Sequence, residues 1–595
     1  MAEQQSLNPQ WDLESIFPGG SASSEFRTFL DELEQDFPRL GEAAAKLSPT
    51  THADEWEAFW GSVQNLRARM IQASSFVGCL TAQNMKDKAA KLLEGRVKKV
   101  QAQQRAVLAV VDGVLLQISD NDWQALLHHD GLQAIAFTLD ERRTTAQKKL
   151  PTDAEVLISD LSVDGYEAWG DMYYTVVSRM SIPFEEHGET LELSMGQAAN
   201  KLKSPDRAVR VPLFKRWEET WSSHADLFGH ILNHLSGHRL QVYKHRGWDS
   251  VLAEPLAMNR MSAETLEAMW GTVEQNKAPF VEYLARKAKL LGLPAMSWHD
   301  LDAPIPGPAR TYSYDDARAF IVEQFGKFSP DLAAFANHCF EQRWIEAEDR
   351  PGKRPGAFCT SFPVTKESRV FATFGGSADN VSTLGHEIGH AYHSYVLRDL
   401  PQFARGYAMN VAETASTFAE TIIMDASVNA AETDAERVAL LDDKVQQSVN
   451  MFMNLHSRFL FETRFYDRRR AGLLSEDEIS LLMEQAQKDA YHNALSEYHP
   501  TFWASKLHFY STGVPFYNFP YTFGYLFSTG IYARAKTEGI GFADRYVDLL
   551  RDTGRMTVED LVHKHLGVDI RKPDFWQSAV DVTVADAKEF LRITQ

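Results

Sequence analysis

Apolar residues recur at helical spacing through most of the first third of the chain. Phe26, Phe29, Leu30, Leu33 and Phe37 share one face of a 3.6-residue repeat, and few Gly or Pro interrupt residues 25–130. That pattern predicts a set of antiparallel helices. The most apolar run, Ala106–Leu116, is short and contains Asp112, so it reads as a buried helix and not as a membrane span. Helical spacing returns over 150–180 through Leu157, Leu161, Trp169, Met172 and Tyr173. It closes at Ile182-Pro183-Phe184, and the polar stretch Glu185–Glu189 leads towards a further helix. A boundary near 195 separates an N-terminal helical domain, 1–195, from the rest, 196–595.

The pattern changes over 356–375. Ala357–Phe362 and Arg369–Phe374 are β-prone and flank a polar turn, which predicts a small antiparallel hairpin. Such a hairpin either packs the helix that follows it or offers an edge to an extended peptide, and both readings stay open. Next, Asp379 and Asn380 are N-capping types and no proline intervenes before Pro401, so a helix is expected over about 380–399. Leu400–Gly406 supplies a turn, and Tyr407–Glu420, free of Gly and Pro, predicts a second helix running back antiparallel to the first.

On the first of these helices His386 and His390 stand four residues apart, one turn, so both can aim a ring nitrogen at one metal ion. Glu387 sits beside them but off the ligand axis, where its carboxylate can take a proton from a water held by zinc. Gly389 weakens the helix by about 1 kcal/mol against alanine, which suits a place where something packs closely. Hydrolysis needs a third protein ligand. The antiparallel second helix brings Glu413 over the histidine pair, and Glu420, seven residues on, shares its face as a carboxylate that orients a ligand. The bland alternative is a helix hairpin with solvated carboxylates and a hydrogen-bonded histidine pair.

Other candidates carry less. His230, His234 and His238 also recur at four-residue spacing, but the outer two are about 12 Å apart along a helix axis, so the three cannot share one ion. No acidic residue occupies the general-base place there. Cys79, Cys339 and Cys359 are few and odd in number, which suggests a reducing compartment without a disulfide framework and a packing role for Cys359. The net charge of −20, from 61 basic and 81 acidic residues, argues against nucleic acid as a partner. Met1–Gln10 has neither a basic nor an apolar region of a secretory signal, so a cytoplasmic location is expected.

The string His386–His393, followed by Glu413–Glu420, resembles the zinc motif of the thimet oligopeptidase and oligoendopeptidase F family of metallopeptidases. The resemblance extends to Trp11–Phe17, to Lys353–Cys359, and to His508-Phe509-Tyr510 with Pro515-Phe516-Tyr517. It spans nearly the whole chain, and the oligoendopeptidase F branch is the better match. It implies a mostly α, two-lobed protein that encloses a deep substrate cleft, with a small hairpin or sheet beside the zinc helix. By themselves His508, Tyr510, Tyr517, Tyr521 and Tyr525 read as packing aromatics. The resemblance implies instead that a histidine and tyrosines of this region face the substrate and steady the oxyanion.

The expected activity is hydrolysis of internal bonds in short peptides, with one zinc per chain held by His386, His390 and Glu413 and with Glu387 as general base. Two alternatives stand beside it. One is a non-catalytic peptide-binding protein of the same fold. The other is a helical zinc carboxypeptidase, which needs a basic residue such as Arg405 or Arg369 to grip a terminal carboxylate.

Overall fold

Ser23 opens the first long helix by accepting the Phe26 N–H with its side chain, and Phe26, Leu30, Leu33, Phe37, Leu40 and Ala44 then form one buried stripe of α1 (Ser24–Ala44). The computed structural model describes residues 7–186, 188–307 and 310–595. Of the stretches singled out in the sequence, Met1–Ser6 at the N-terminus and His187 lie outside the described residues. Helices α2 (Ala53–Gln83) and α3 (Lys88–Leu115) pack with α1. Their shared core takes in Trp11, Leu13, Ile16 and Phe17 and, from far along the chain, Phe362, Phe371 and Phe403. The apolar run Ala106–Leu116 lies mostly in α3. Val107, Val111 and Leu115 are buried there but Val110 is exposed, so the segment is amphipathic and not buried all round. No helix among the described residues is long and apolar enough to cross a membrane.

The described strands are β1 (Ser181–Glu186), β2 (Glu189–Ser194), β3 (Ile345–Glu346), β4 (Phe358–Phe362) and β5 (Glu367–Phe371). The antiparallel β1–β2 hairpin replaces the polar connection expected after Ile182-Pro183-Phe184. Alternation gives it away in retrospect: Ile182 and Phe184 are buried between exposed neighbours, and Gly188 takes φ 84° at the turn. The predicted hairpin at 357–374 is present as β4 and β5 and gains a third strand, because β3 pairs parallel with the far side of β5. The order β3-β5-β4 leaves β4 at an edge.

The chain divides into two compact units that are not contiguous in sequence: 1–149, 309–427 and 534–567 form the first, and 150–308, 428–533 and 568–595 the second. The first holds α1, α2, α3, the three-stranded sheet and the helices that follow it. In the second, the terminal helix Pro573–Ile593 packs with the helices Ala263–Gln275, Ala278–Leu290 and Asp434–Val449, and its buried Phe575 and Trp576 meet Phe527 and Phe523. Both units are dominated by helices.

Candidate metal centre

The helix carrying the histidine pair is α4 (Ala378–Leu397), and its N-cap is Ser377, whose side chain accepts the Asn380 N–H. The start therefore lies before the expected Asp379 and Asn380, with Asp379 placed in the first turn where the helix dipole favours a negative charge. After a 3₁₀ turn at Gln402–Arg405 come α5 (Met409–Ala412) and α6 (Thr414–Ala430). The single helix expected here is interrupted at Glu413. The Thr414 hydroxyl donates to the Val411 carbonyl at 2.7 Å, a side-chain bond that competes with the helical ladder.

Gly389 explains how α6 reaches the site. A Cβ on it would lie 2.6 Å from the Ala415 carbonyl oxygen and 2.7 Å from Ser416 Cα, so the first turn of α6 rests directly on α4. Gly385 permits the same closeness one turn earlier, where a Cβ would meet Ile423 Cγ1 at 2.9 Å. Two glycines on one face of α4 thus bring Glu413 over the imidazoles.

His386 Nε2 and His390 Nε2 each lie 3.3 Å from Glu413 Oε2. These three groups each offer one ligand atom, all within 4.8 Å of one another. Two ligand bonds of about 2.0–2.1 Å at a tetrahedral angle put their atoms roughly 3.3 Å apart, so the spacing fits a small tetrahedral dication. The outer shell fits as well: Glu420 Oε2 sits 2.9 Å from His386 Nδ1, and Ser416 Oγ donates to Glu413 Oε2 at 2.7 Å. Burial opposes charge on His386, but Glu413 and Glu420 outweigh it and hold its pKa up at about 10. Burial likewise opposes charge on Glu413, and the two histidines hold it well below the usual carboxylate range. Three carboxylates around two imidazoles make a negative pocket suited to a cation. Glu387 is buried and its Oε2 has no hydrogen-bond partner among the described residues. Burial pushes its pKa up, against the pull of the two histidines.

A cavity of about 520 Å³ opens over this group, lined by Ala357 and by Phe358–Ser361 of β4 as well as Ser394 and Tyr407. The backbone of β5 fixes which groups of β4 face outward. Val370 and Ala372 donate to the Trp344 and Glu346 carbonyls on the β3 side at 2.9 and 2.8 Å. Arg369 and Phe371 therefore turn to β4, where they pair with Thr360 and Phe358. By alternation the N–H and C=O of Cys359 and Ser361 point away from the sheet. The Ser361 carbonyl accepts from Ser75 Oγ at 2.8 Å, which leaves Cys359 as the outward-facing backbone position beside the cavity.

The profile of Peptidase family M3 matches residues 201–582, and that of Oligopeptidase F matches residues 115–181. The chain belongs to peptidase family M3. Among relatives of this M3 chain, Oligopeptidase PepF of Bacillus subtilis is 22% identical over 589 residues, covering 95% of this chain and 84% of the relative. The oligoendopeptidase F homolog of Lactococcus lactis subsp. lactis is 25% identical over 404 residues, 67% of this chain, and the match spans 66% of that relative's own length. The crystal structure of oligoendopeptidase-F from Enterococcus faecium shares the fold, with a TM-score of 0.70 at 17% identity over 96% of this chain and 99% of that one. The mostly helical architecture is thus the M3 one.

The remaining predicted residues of this M3 chain lie in the second unit. His508, Tyr517 and Tyr521 come together: the His508 ring lies 4.9 Å from Tyr517 and 6.2 Å from Tyr521, and the two tyrosines stack at 5.4 Å. Burial, with Arg458 and Lys506 nearby, pulls the His508 pKa down to about 4, so its ring is neutral near pH 7. Tyr510 and Tyr525 are placed otherwise. Tyr510 is fully buried and stacks on Tyr173 at 3.9 Å, while the Tyr525 hydroxyl meets Ser448 Oγ at 2.8 Å and its ring packs on Phe452. Both side chains are buried. No motif pointed to Glu462, which accepts the Phe516 N–H and the Asn518 side-chain amide at 3.2 and 2.6 Å and so anchors the loop carrying Tyr517.

The lesser candidates resolve simply. His234 and His238 stack on Trp169 and Tyr166 at 5.1 and 4.7 Å, as aromatic partners. Arg369 cannot grip a substrate: its guanidinium is buried and donates to the Asp12 and Ser368 carbonyls and Ser15 Oγ. Asp54 and Glu57 of α2 form a second convergence with His129, which lies in a bend, and His129 Nε2 is 2.8 Å from Glu57. Both of its carboxylates are exposed, as in ordinary surface ion pairs.

Proposed function

We propose that the protein is a zinc-dependent oligopeptidase that cleaves internal bonds of short peptides. The observation that carries this reading is the approach of two imidazole nitrogens to one carboxylate oxygen, 3.3 Å from each, beside the buried and unpartnered Glu387. Membership of peptidase family M3 and the names of its oligopeptidase relatives support it.

His386, His390 and Glu413 would hold the ion. When bound, zinc supplies Lewis acidity that makes water a nucleophile near neutral pH. The rest of the chemistry falls to this chain's own side chains. Glu387 removes the proton of the attacking water and returns it to the leaving amine, a transfer favoured by its raised pKa. Glu420 fixes His386 through Nδ1 and keeps Nε2 directed at the ion. The outward backbone of Cys359 pairs with an extended peptide, which aligns it without reading side chains. For His508, Tyr517 and Tyr521 the proposed role is the one the resemblance implies, donation to the oxyanion.

The test is cleavage of an internally quenched peptide of about ten residues by wild type and Glu387→Gln, with bound metal quantified in both. The reading expects near-stoichiometric zinc in both proteins and turnover in wild type alone. Zinc without cleavage across a varied peptide set would instead favour a peptide-binding protein.

A further inference from the structure

A second cavity of about 250 Å³ adjoins the one over the histidines within the first unit, sharing Ser361, Ser394 and Tyr407 as lining. Its chemistry runs against the chain's net charge of −20, because Arg67, Lys366, Arg398 and Arg405 all line it and Glu367 is the acidic member. Most of these charges are already committed. Glu367 pairs with Arg369 at 2.9 Å and Lys366 with Asp399 at 2.7 Å. Arg398 donates to the Tyr395 carbonyl at 2.6 Å and lies over the Tyr395 ring.

Two guanidiniums are left. Arg67, from α2, has no hydrogen bond or ion pair with any described residue, and Arg405 uses Nε for the Leu400 carbonyl at 2.8 Å, leaving its Nη groups without a partner among the described residues. Both are half-buried, and burial disfavours their charge. Gln402 adds a buried carbonyl oxygen, Oε1, that also lacks a partner among the described residues. Partly desolvated donors with open forks are arranged for a planar anion, and an unpaired acceptor beside them suits an amide N–H.

We propose that this cavity is a carboxylate subsite: Arg67 and Arg405 bind a carboxylate of the peptide, and Gln402 accepts a neighbouring backbone N–H. The inference rests on the peptidase reading and sharpens it, since it makes charge at one substrate position decide which peptides are cleaved. The carboxylate comes either from the peptide C-terminus or from an Asp or Glu side chain. The same two arginines recognise both.

The test uses the zinc-loaded full-length enzyme and three internally quenched peptides of one neutral sequence: a free C-terminal acid, its C-terminal amide, and the amide with Glu scanned along the chain. Wild type is expected to favour a carboxylate-bearing peptide over the neutral amide in kcat/KM by on the order of tenfold to a hundredfold, the range for charged hydrogen bonds. Preference for the free acid assigns the C-terminus; preference confined to a Glu peptide assigns a side chain. Arg67→Gln and Arg405→Gln should each shrink that ratio mainly through KM, and Arg67→Lys should restore part of it. Equal kcat/KM for all three peptides in wild type, or a ratio untouched in both Gln variants, overturns the subsite. If wild type cleaves none of them, the peptidase reading fails on its own. The subsite is then decided by equilibrium binding of the fluorescently labelled peptides, where equal affinity of acid, amide and Glu forms overturns it.

Discussion

Glu420 Oε2 stands 2.9 Å from Nδ1 of His386, on the opposite side of the imidazole from the nitrogen that faces Glu413. A carboxylate in that position fixes the tautomer and the ring angle and raises the basicity of Nε2. Glu420→Ala is therefore expected to weaken metal binding by roughly 10- to 100-fold while the fold persists. Competition with a chelator of known affinity measures it, and Glu420→Gln separates charge from orientation. Unchanged affinity in the alanine variant would remove Glu420 from the site.

Gly389 makes a different demand on the same geometry. With a Cβ there, the Ala415 carbonyl oxygen and Ser416 Cα would lie at 2.6 and 2.7 Å, both backbone atoms that cannot swing aside. Gly389→Ala must push α6 off α4 and carry Glu413 with it. The expected result is a loss of stability of about 1–3 kcal/mol, as for an overpacked core, together with loss of bound metal. Urea unfolding and metal analysis of one preparation check both. A variant that binds zinc normally would show that Glu413 does not depend on this contact.

The site was more legible in the sequence than its surroundings, for physical reasons. The i, i+4 spacing of His386 and His390 and the glycine between them encode a local geometry that needs no knowledge of distant chain. The β4–β5 hairpin was legible too, since β-prone residues flank a polar turn. What connects distant segments was not. Nothing local to Ile345–Glu346 announces that it pairs parallel with β5 and thereby leaves β4 at the edge. Nothing near Tyr510 tells that Tyr173 lies 3.9 Å from it and turns a candidate donor into core. The β1–β2 hairpin was missed for a subtler reason: its alternation covers only Ile182 and Phe184, too short a run to outweigh the helical spacing before it.

Cys359 lines the cavity over the histidine pair yet is placed to contribute its backbone, not its sulfur. Burial pushes the thiol pKa well up, and the Glu387 carboxylate adds to the shift, so the thiolate is suppressed near neutral pH. Cys359→Ala should keep kcat/KM for a neutral peptide within about threefold, less than 1 kcal/mol, and resistance to thiol alkylation should already be visible in wild type. A collapse of turnover in the alanine variant, with zinc retained, would bring cysteine chemistry back.

His393 ties the stability of this helix to pH. It is fully buried in α4, its Nε2 lies 2.9 Å from Thr553 Oγ1, and its ring stacks on Tyr407 at 4.3 Å, so it braces a residue that lines the cavity. Burial, with His390 adding to it, lowers its pKa to about 3 from 6.5. A depressed folded-state value means that the neutral ring is the stable form. Its contribution is complete above pH 6.5 and is lost as pH falls towards 3, because the unfolded chain binds the proton first. Within that window each pH unit removes about 1.4 kcal/mol at most. His393→Gln, which keeps a polar partner for Thr553 but does not titrate, should show a correspondingly shallower fall in unfolding free energy between pH 6 and pH 4, measured by urea titration at each pH. Parallel curves for the two proteins would mean that His393 carries the same proton in both states and that its burial does not set the acid limit of the fold.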